Sequence, residues 1–286
     1  MNGSLTDFLR NEMQSFSKSH RMLAEYILSN YDKAAFMTAA KLGKVVNVSE
    51  STVIRFANML GYDGYPELQE ALLKTAHNKM TVAQRLQVTK DRIGDSDVLT
   101  GVLQADMDKI RVTLDKTDSK TFQAVVDCIL QAEHIYIIGV RSSSSLAEFL
   151  GFYLNLMFDN VKIVGTSGVS EVYEQVLHIK KEDVIICSSY PRYSNRTIKA
   201  MKFAGLRGAR VIALTDDKSS PLCACADYSL FAKSDMTSFV DSLVAPLSLV
   251  NAIIAALAIR KEKDLTHVLQ ELEDIWDENQ VYDEKS

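Results

Sequence analysis

From Leu5 to about Lys79 the apolar residues recur at helical spacing, with almost none of the alternation that marks strands. Between Ser17 and Ser29 they fall at Met22, Leu23, Tyr26 and Ile27, a one-sided stripe that predicts a helix capped by Ser17 or Ser19. Residues 78–95 carry Lys79, Gln84, Arg85, Gln87, Lys90, Asp91 and Arg92 with few apolar anchors, which predicts a helix running into a hinge. Two amphipathic helices follow from Asp97 to Ala132. The pattern then changes to short runs rich in Val and Ile: His134–Val140, Asn160–Gly165, Asp183–Ser189 and Ala209–Asp216, with Tyr228–Phe231 as a fifth candidate. Helical segments between such runs predict a parallel sheet covered on both faces, with any ligand beyond the carboxyl ends of its strands.

Within the helical part, Thr38 to Tyr65 has the requirements of a helix-turn-helix. Gly43 supplies the small residue where two helices touch, and Asn47 suits a left-handed turn. Val53 and Phe56 follow at inward spacing, Ser49 is placed to cap the second helix, and Gly61 ends it. Glu50, Ser51, Thr52 and Arg55 then lie on or near the exposed start of that helix, the part that meets base edges in a major groove. Arg55 can pair with guanine, while Lys41, Lys44, Ser49 and Thr52 suit phosphates, and Tyr62 and Tyr65 complete the expected DNA-facing set. An ordinary helical hairpin with a solvated basic surface fits the same spacing. The residues Ser49, Thr52, Val53, Arg55, Phe56, Gly61, Tyr62, Gly64 and Tyr65 carry a further pattern, S-x-x-T-V-x-R-F followed by G-Y-x-G-Y. Over residues 1–77 the chain thereby resembles the DNA-binding domain of the RpiR family of regulators.

Charge narrows the partners. Residues 1–80 hold nine Lys and Arg against eight Asp and Glu, and the remainder holds 23 against 29, so a net charge of −5 hides a division into +1 and −6. Only the first part suits a polyanion, and its weak charge calls for local clustering and a dimer. The longest apolar run, Phe239 to Ile259, is interrupted by Asp241, Ser242, Pro246, Ser248 and Asn251, which predicts a buried helix rather than a membrane span. Asp7, Arg10 and Glu12 argue against a secretory signal, so a cytoplasmic protein is expected. Cys128, Cys187, Cys223 and Cys225 lie far apart except for the C-x-C pair Cys223 and Cys225, to which no histidine has metal-ligand spacing, so reduced thiols and no metal or cofactor are expected.

Hydroxyl residues concentrate after two of the predicted strands, in GVRSSSSLAEF (Gly139–Phe149) and SSYPRYSNRT (Ser188–Thr197). Hydroxyls and backbone N–H groups at a helix start suit a phosphate monoester, with Arg141, Arg192 and Arg196 adding charge; simple caps and turns use the same residues. Residues 125–260 resemble the sugar isomerase (SIS) domain, the usual partner of an RpiR-type DNA-binding domain. The pattern G-x-G-x-S-x-x-x-A falls on Gly139, Arg141, Ser143 and Ala147, with Arg141 where the pattern has its second glycine. The second loop falls on Ser189, Pro191, Ser194 and Thr197, with Pro191 in place of a ligand serine and without an N–H to donate. The resemblance assigns phosphate contacts to Ser143, Ser189 and Ser194, then to Ser142, Arg192 and Thr197, and gives the loop Gly165–Gly168 to sugar hydroxyls.

The expected organisation is therefore an all-α helix-turn-helix domain (1–77), a linker (78–95) and an α/β domain of SIS fold (96–286, core about 125–260). The function it implies is a transcriptional regulator of carbohydrate metabolism, its binding to a double-stranded operator modulated by a phosphorylated sugar, and acting as a homo-oligomer (a dimer, with a tetramer as the alternative). An isomerase or lyase of sugar phosphates is the competing class, with Glu148, Glu171 and His178 as candidate acids and bases, and a pure protein-interaction module is the third.

Overall fold

A computed structural model describes residues 5–79, 85–86, 97–165, 169–236 and 239–281. The chain forms two compact units, one made mainly by Met1–Ser96, the other by Asp97–Thr237 with Asp241–Ser286. The expected hinge at 78–95 lies almost wholly outside the described residues.

The first unit has six helices among its described elements: α1 (Leu5–Asn11), α2 (Lys18–Ser29), α3 (Tyr31–Ala34), α4 (Ala39–Val46), α5 (Glu50–Met59) and α6 (Tyr65–Lys79). Ser17 caps α2 and Thr38 caps α4, each side chain accepting a backbone N–H in the first turn. Leu23, Ile27, Leu42, Val53, Phe56, Leu68 and Leu72 are fully buried at the centre, and Phe16 meets the Phe56 ring edge-on at 5.9 Å between centroids. Burial of each such side chain contributes about 1.5–3 kcal/mol, so the helices cohere through their apolar stripes rather than through propensity.

The turn between α4 and α5 depends on two residues. Asn47 takes the left-handed conformation (φ 60°, ψ 46°), and the Val48 N–H donates to the Gly43 carbonyl at 2.8 Å. A Cβ at Gly43 would stand 2.8 Å from the Val48 carbonyl oxygen, so only glycine lets the chain fold back this closely. Ser49 then caps α5 by accepting the Thr52 N–H at 3.2 Å, and Gly61 (φ 88°) lies just past its end.

In the second unit, α7 (Val98–Lys116) and α8 (Ser119–Leu130) are capped by Asp97 and Asp118. The sheet follows: β1 (Ile135–Gly139), α9 (Ser144–Leu154), β2 (Val161–Ile163), α10 (Val169–Gln175), β3 (Val184–Ser188), α11 (Asn195–Leu206), β4 (Arg210–Thr215) and β5 (Tyr228–Phe231). All pairings are parallel, in the order β2-β1-β3-β4-β5. Every residue of β1 and β3 is buried, as expected of strands covered on both faces. Ile135, Ile137, Val184 and Ile186 pack with α8, α9 and a long helix α12 (Val244–Arg260); Ile138, Ile185 and Cys187 pack with α10 and α11 on the other face. A last helix, α13 (Glu262–Glu278), buries none of its residues.

The apolar run expected to form a buried helix from Phe239 to Ile259 does so over a shorter span. Helix α12 begins at Val244, with Pro246 in its first turn, where a missing N–H costs nothing. Phe239 is exposed ahead of it, and Ile259 is exposed near its end.

The Gly43 contact yields a direct test. Gly43→Ala is expected to destabilise the helical unit by about 1–3 kcal/mol, since main chain cannot give way cheaply. The single tryptophan, Trp276, lies in α13. Helix loss by circular dichroism should therefore shift to lower urea while Trp276 fluorescence keeps its midpoint.

Candidate functional site

Two places gather the residues singled out by sequence. The first is the start of α5. Ser49, Ser51 and Thr52 form a hydroxyl cluster there: Ser49 Oγ lies 2.9 Å from Ser51 Oγ and 2.8 Å from Thr52 Oγ1. Arg55 is exposed one turn on, its Nε donating to the Ser51 carbonyl at 3.3 Å and its Nη2 to Thr52 Oγ1 at 3.4 Å. These bonds are long and local, so the guanidinium can leave them for a stronger acceptor at small cost. Lys41 and Lys44 are exposed on α4, as are Glu50 and Ser51 on α5. Ile54, 39% exposed beside Arg55, adds an apolar group that a search for cations and hydroxyls passes over.

The two tyrosines behind the helix behave differently. Tyr62 is partly buried, and burial followed by the Glu67 carboxylate raises its pKa. Tyr65 is a correction to the DNA-facing set: it is 4% exposed, its hydroxyl donates to the Met37 carbonyl at 2.8 Å, and burial pushes its pKa up to about 12. Its physical task is to hold the start of α6 against the end of α3. Gly64 (φ 82°) allows the sharp entry, and its N–H donates to Asn58 Oδ1 at 3.0 Å.

The second place is the carboxyl edge of the sheet. From β1 the chain crosses to β2 on one side, and from β3 it crosses to β4 on the other. Right-handed crossovers in opposite directions put α9 and α11 on opposite faces, so their starts flank a crevice between β1 and β3. The strands are in register there, with Gly139 opposite Ser188.

After β1, the turn Arg141–Ser143 folds back over the strand end so closely that a Cβ at Gly139 would lie 2.1 Å from the Ser143 carbonyl oxygen. Ser143 is 4% exposed and its side chain makes no capping bond to α9, while the Ser144 N–H at that helix start donates to the Arg141 carbonyl. Ser142 is exposed on the same turn. Arg141 adopts φ 59°, the conformation the glycine of the pattern would favour, so the substitution keeps the loop path at a cost in strain.

After β3, Ser189 (4% exposed) accepts the Ser194 N–H through its Oγ at 3.0 Å, and Ser194 Oγ accepts the Thr197 N–H at 3.3 Å as the cap of α11. Each hydroxyl uses a lone pair on the backbone, which leaves its proton to be donated. Thr197 is fully buried, and its Oγ1 has no hydrogen-bond partner. Arg192 is exposed at φ 66°, a second arginine in the left-handed region, one in each loop.

Neighbouring groups hold this second loop. Thr215 Oγ1 donates to the Ser189 carbonyl at 2.8 Å, and the Tyr193 hydroxyl donates to Asp216 Oδ1 at 2.9 Å. Burial raises the Asp216 pKa, opposed by the Tyr193 bond, and burial also raises Tyr193 and Tyr190. Gln175 clamps the start of the third loop, its Oε1 accepting the Gly165 N–H at 2.8 Å and its Nε2 donating to the Gly165 carbonyl at 3.1 Å. Thr166, Ser167 and Gly168 lie outside the described residues. Glu148, Glu171 and His178, the candidate acids and bases, are all exposed. Among the described residues no group of His, Cys, Asp and Glu could hold a metal ion, and no single helix is long and apolar enough to cross a membrane.

Known proteins match both parts. Residues 3–79 match the helix-turn-helix domain of the rpiR family and residues 128–256 match the SIS domain, together most of the chain. A curated HTH-type transcriptional regulator of Clostridium perfringens is 27% identical over 81% of this chain and 82% of its own. The sugar isomerase domain of an RpiR transcription factor from Sphaerobacter thermophilus is 28% identical, covering 60% of this chain and 96% of that one at a TM-score of 0.57. The Vibrio vulnificus NanR protein, complexed with ManNAc-6P, is 25% identical, covering 95% of this chain and 97% of that one at a TM-score of 0.59. An rpiR-type reading helix joined to a SIS sheet makes this chain a member of the RpiR family of HTH-type transcriptional regulators.

Proposed function

We propose that this regulator reads duplex DNA with α5 and takes a sugar phosphate into the crevice between β1 and β3, and that the second event alters the first. What supports the ligand half is that Ser143 on one side, and Ser189, Ser194 and Thr197 on the other, follow the level ends of two adjacent strands as buried or capping hydroxyls at two helix starts. A phosphate monoester needs several donors and gains from helix dipoles, and this crevice offers both. Ser142 and Arg192 stand at its rim. The ManNAc-6P in the NanR complex makes an N-acetylhexosamine phosphate the first compound to try.

For the DNA half, Arg55 and Ser51 suit base edges, while Lys41, Lys44, Ser49 and Thr52 suit phosphates. A charge of +1 over residues 1–80 is weak for a polyanion, so we take the working form to be a homodimer that sets two reading helices on a palindromic site. Apolar side chains exposed on α9 and α12, Phe152 and Ile259 among them, support such an assembly. We divide the chain accordingly into a DNA-binding head (1–77), a linker (78–95) and a sensor (96–286), and expect it in the cytoplasm, where its DNA is. Catalysis forms no part of this reading, because Glu148, Glu171 and His178 are all exposed rather than set in a water-excluding pocket.

The two halves separate by mutation. In fluorescence anisotropy with operator DNA, Arg55→Ala is expected to cost about 1–3 kcal/mol of binding while leaving a thermal-shift response to ManNAc-6P intact. Ser143→Ala combined with Ser194→Ala is expected to abolish that response and leave DNA binding of the ligand-free protein unchanged. Equal loss of both functions in either variant contradicts the division.

Strain at Arg141 gives a further expectation. Arg141→Gly should raise the stability of the second unit by about 1 kcal/mol, because glycine meets no Cβ penalty at positive φ. Urea unfolding followed by Trp276 fluorescence measures this, and a lower midpoint would show that the arginine side chain, not its backbone, dominates.

A further inference from the structure

Strand β3 ends on Ser188, a residue 2% exposed whose Oγ has no hydrogen-bond partner. Nearly all buried polar atoms in native proteins are paired, so an orphaned hydroxyl at the end of a central strand marks a place where a partner is missing. Its direction follows from the ladder. Ser188 lies opposite Gly139, and register partners in a parallel pair project their side chains to the same face, about 4.8 Å apart. A Cβ at Gly139 would point straight at the Ser143 carbonyl and come within 3.2 Å of the Ala147 Cβ. The same face of the sheet is therefore where the Arg141–Ser143 turn folds back and α9 begins.

Ser188 thus directs an unspent donor to the face of the sheet on which α9 begins. We propose that Ser188 is a further ligand-binding residue, donating its hydroxyl from the floor of the sheet to the anion held between the two loops. The proposal rests on the sugar-phosphate reading of the same crevice and adds to it a contact that neither loop pattern assigns. It also divides the labour: the loops approach the phosphate from α9 and α11, and Ser188 adds a donor from the strand end on the α9 face. The fully buried, unpartnered Thr197 Oγ1 in the first turn of α11 is the corresponding orphan on the other loop.

Isothermal titration calorimetry of the full chain, wild type against Ser188→Ala, tests this with ManNAc-6P and inorganic phosphate as probes. Losing one hydrogen bond to a charged acceptor is expected to weaken both probes by about ten- to a hundredfold. The melting temperature of the ligand-free variant should stay the same or rise, since alanine fills the position and removes an unpaired oxygen. Unchanged affinity in Ser188→Ala, with the wild type binding, overturns the role of Ser188 alone. A loss of affinity accompanied by a lower ligand-free melting temperature overturns it too, by marking the hydroxyl as structural. If the wild type binds neither probe, the inference falls together with the crevice reading.

Discussion

The pairing of Gly139 with Ser188 is the constraint on which the sensor half depends. It sets the ends of β1 and β3 level, and the opposite crossovers that leave them carry α9 and α11 to opposite faces. No loop chemistry would matter without this, because hydroxyls on loops that diverge at different heights could not converge on one anion. The glycine is required for a second reason. The turn after β1 passes so close over it that a methyl group would overlap main chain. One register position thereby fixes both where the crevice lies and how tightly its first wall is drawn.

An analogous economy governs the helical half. Asn47 and Gly43 determine the angle between α4 and α5, and with Val53 and Phe56 buried the remaining face of α5 has only one direction in which to point. The hydroxyls of Ser49, Ser51 and Thr52 satisfy the helix start and one another, while Arg55 rests on its own helix. On the proposed reading of DNA, the group held least firmly here is the Arg55 guanidinium, whose bonds are 3.3 and 3.4 Å long. In both halves a residue in the left-handed region makes the geometry possible: Asn47 at one site, Arg141 and Arg192 at the other. Asparagine carries that conformation cheaply, whereas the arginines hold it against a steric cost, a pattern common where backbone strain serves binding.

Much of this was legible in the chain itself, because burial on both faces leaves an unmixed signature. The Val- and Ile-rich runs fell within one or two residues of the strands, and Tyr228–Phe231 matched its strand end to end. The cap at Ser49 and the turn at Asn47 were equally plain, since few residue types meet those requirements. What stayed hidden was whatever depends on three-dimensional neighbours. Tyr65 lies in a motif beside the reading helix, and nothing in the motif tells that its hydroxyl reaches back 28 residues to Met37. Ser188 belongs both to a strand run and to the hydroxyl-rich stretch that follows it, and only the three-dimensional packing leaves its hydroxyl buried without a partner. The bond between Tyr193 and Asp216 spans 23 residues and has no local pattern at all.

The central claim is that the second unit receives its effector at the carboxyl edge of the sheet, between the turns that follow β1 and β3. Hydrogen–deuterium exchange of the full chain, with and without saturating ManNAc-6P, measures this most directly. Slower exchange is expected, confined to the segments around residues 140–147 and 189–198. Protection at the opposite edge instead, around Asp127, Lys181 and Arg210, where a cleft of about 360 Å³ opens, would contradict it.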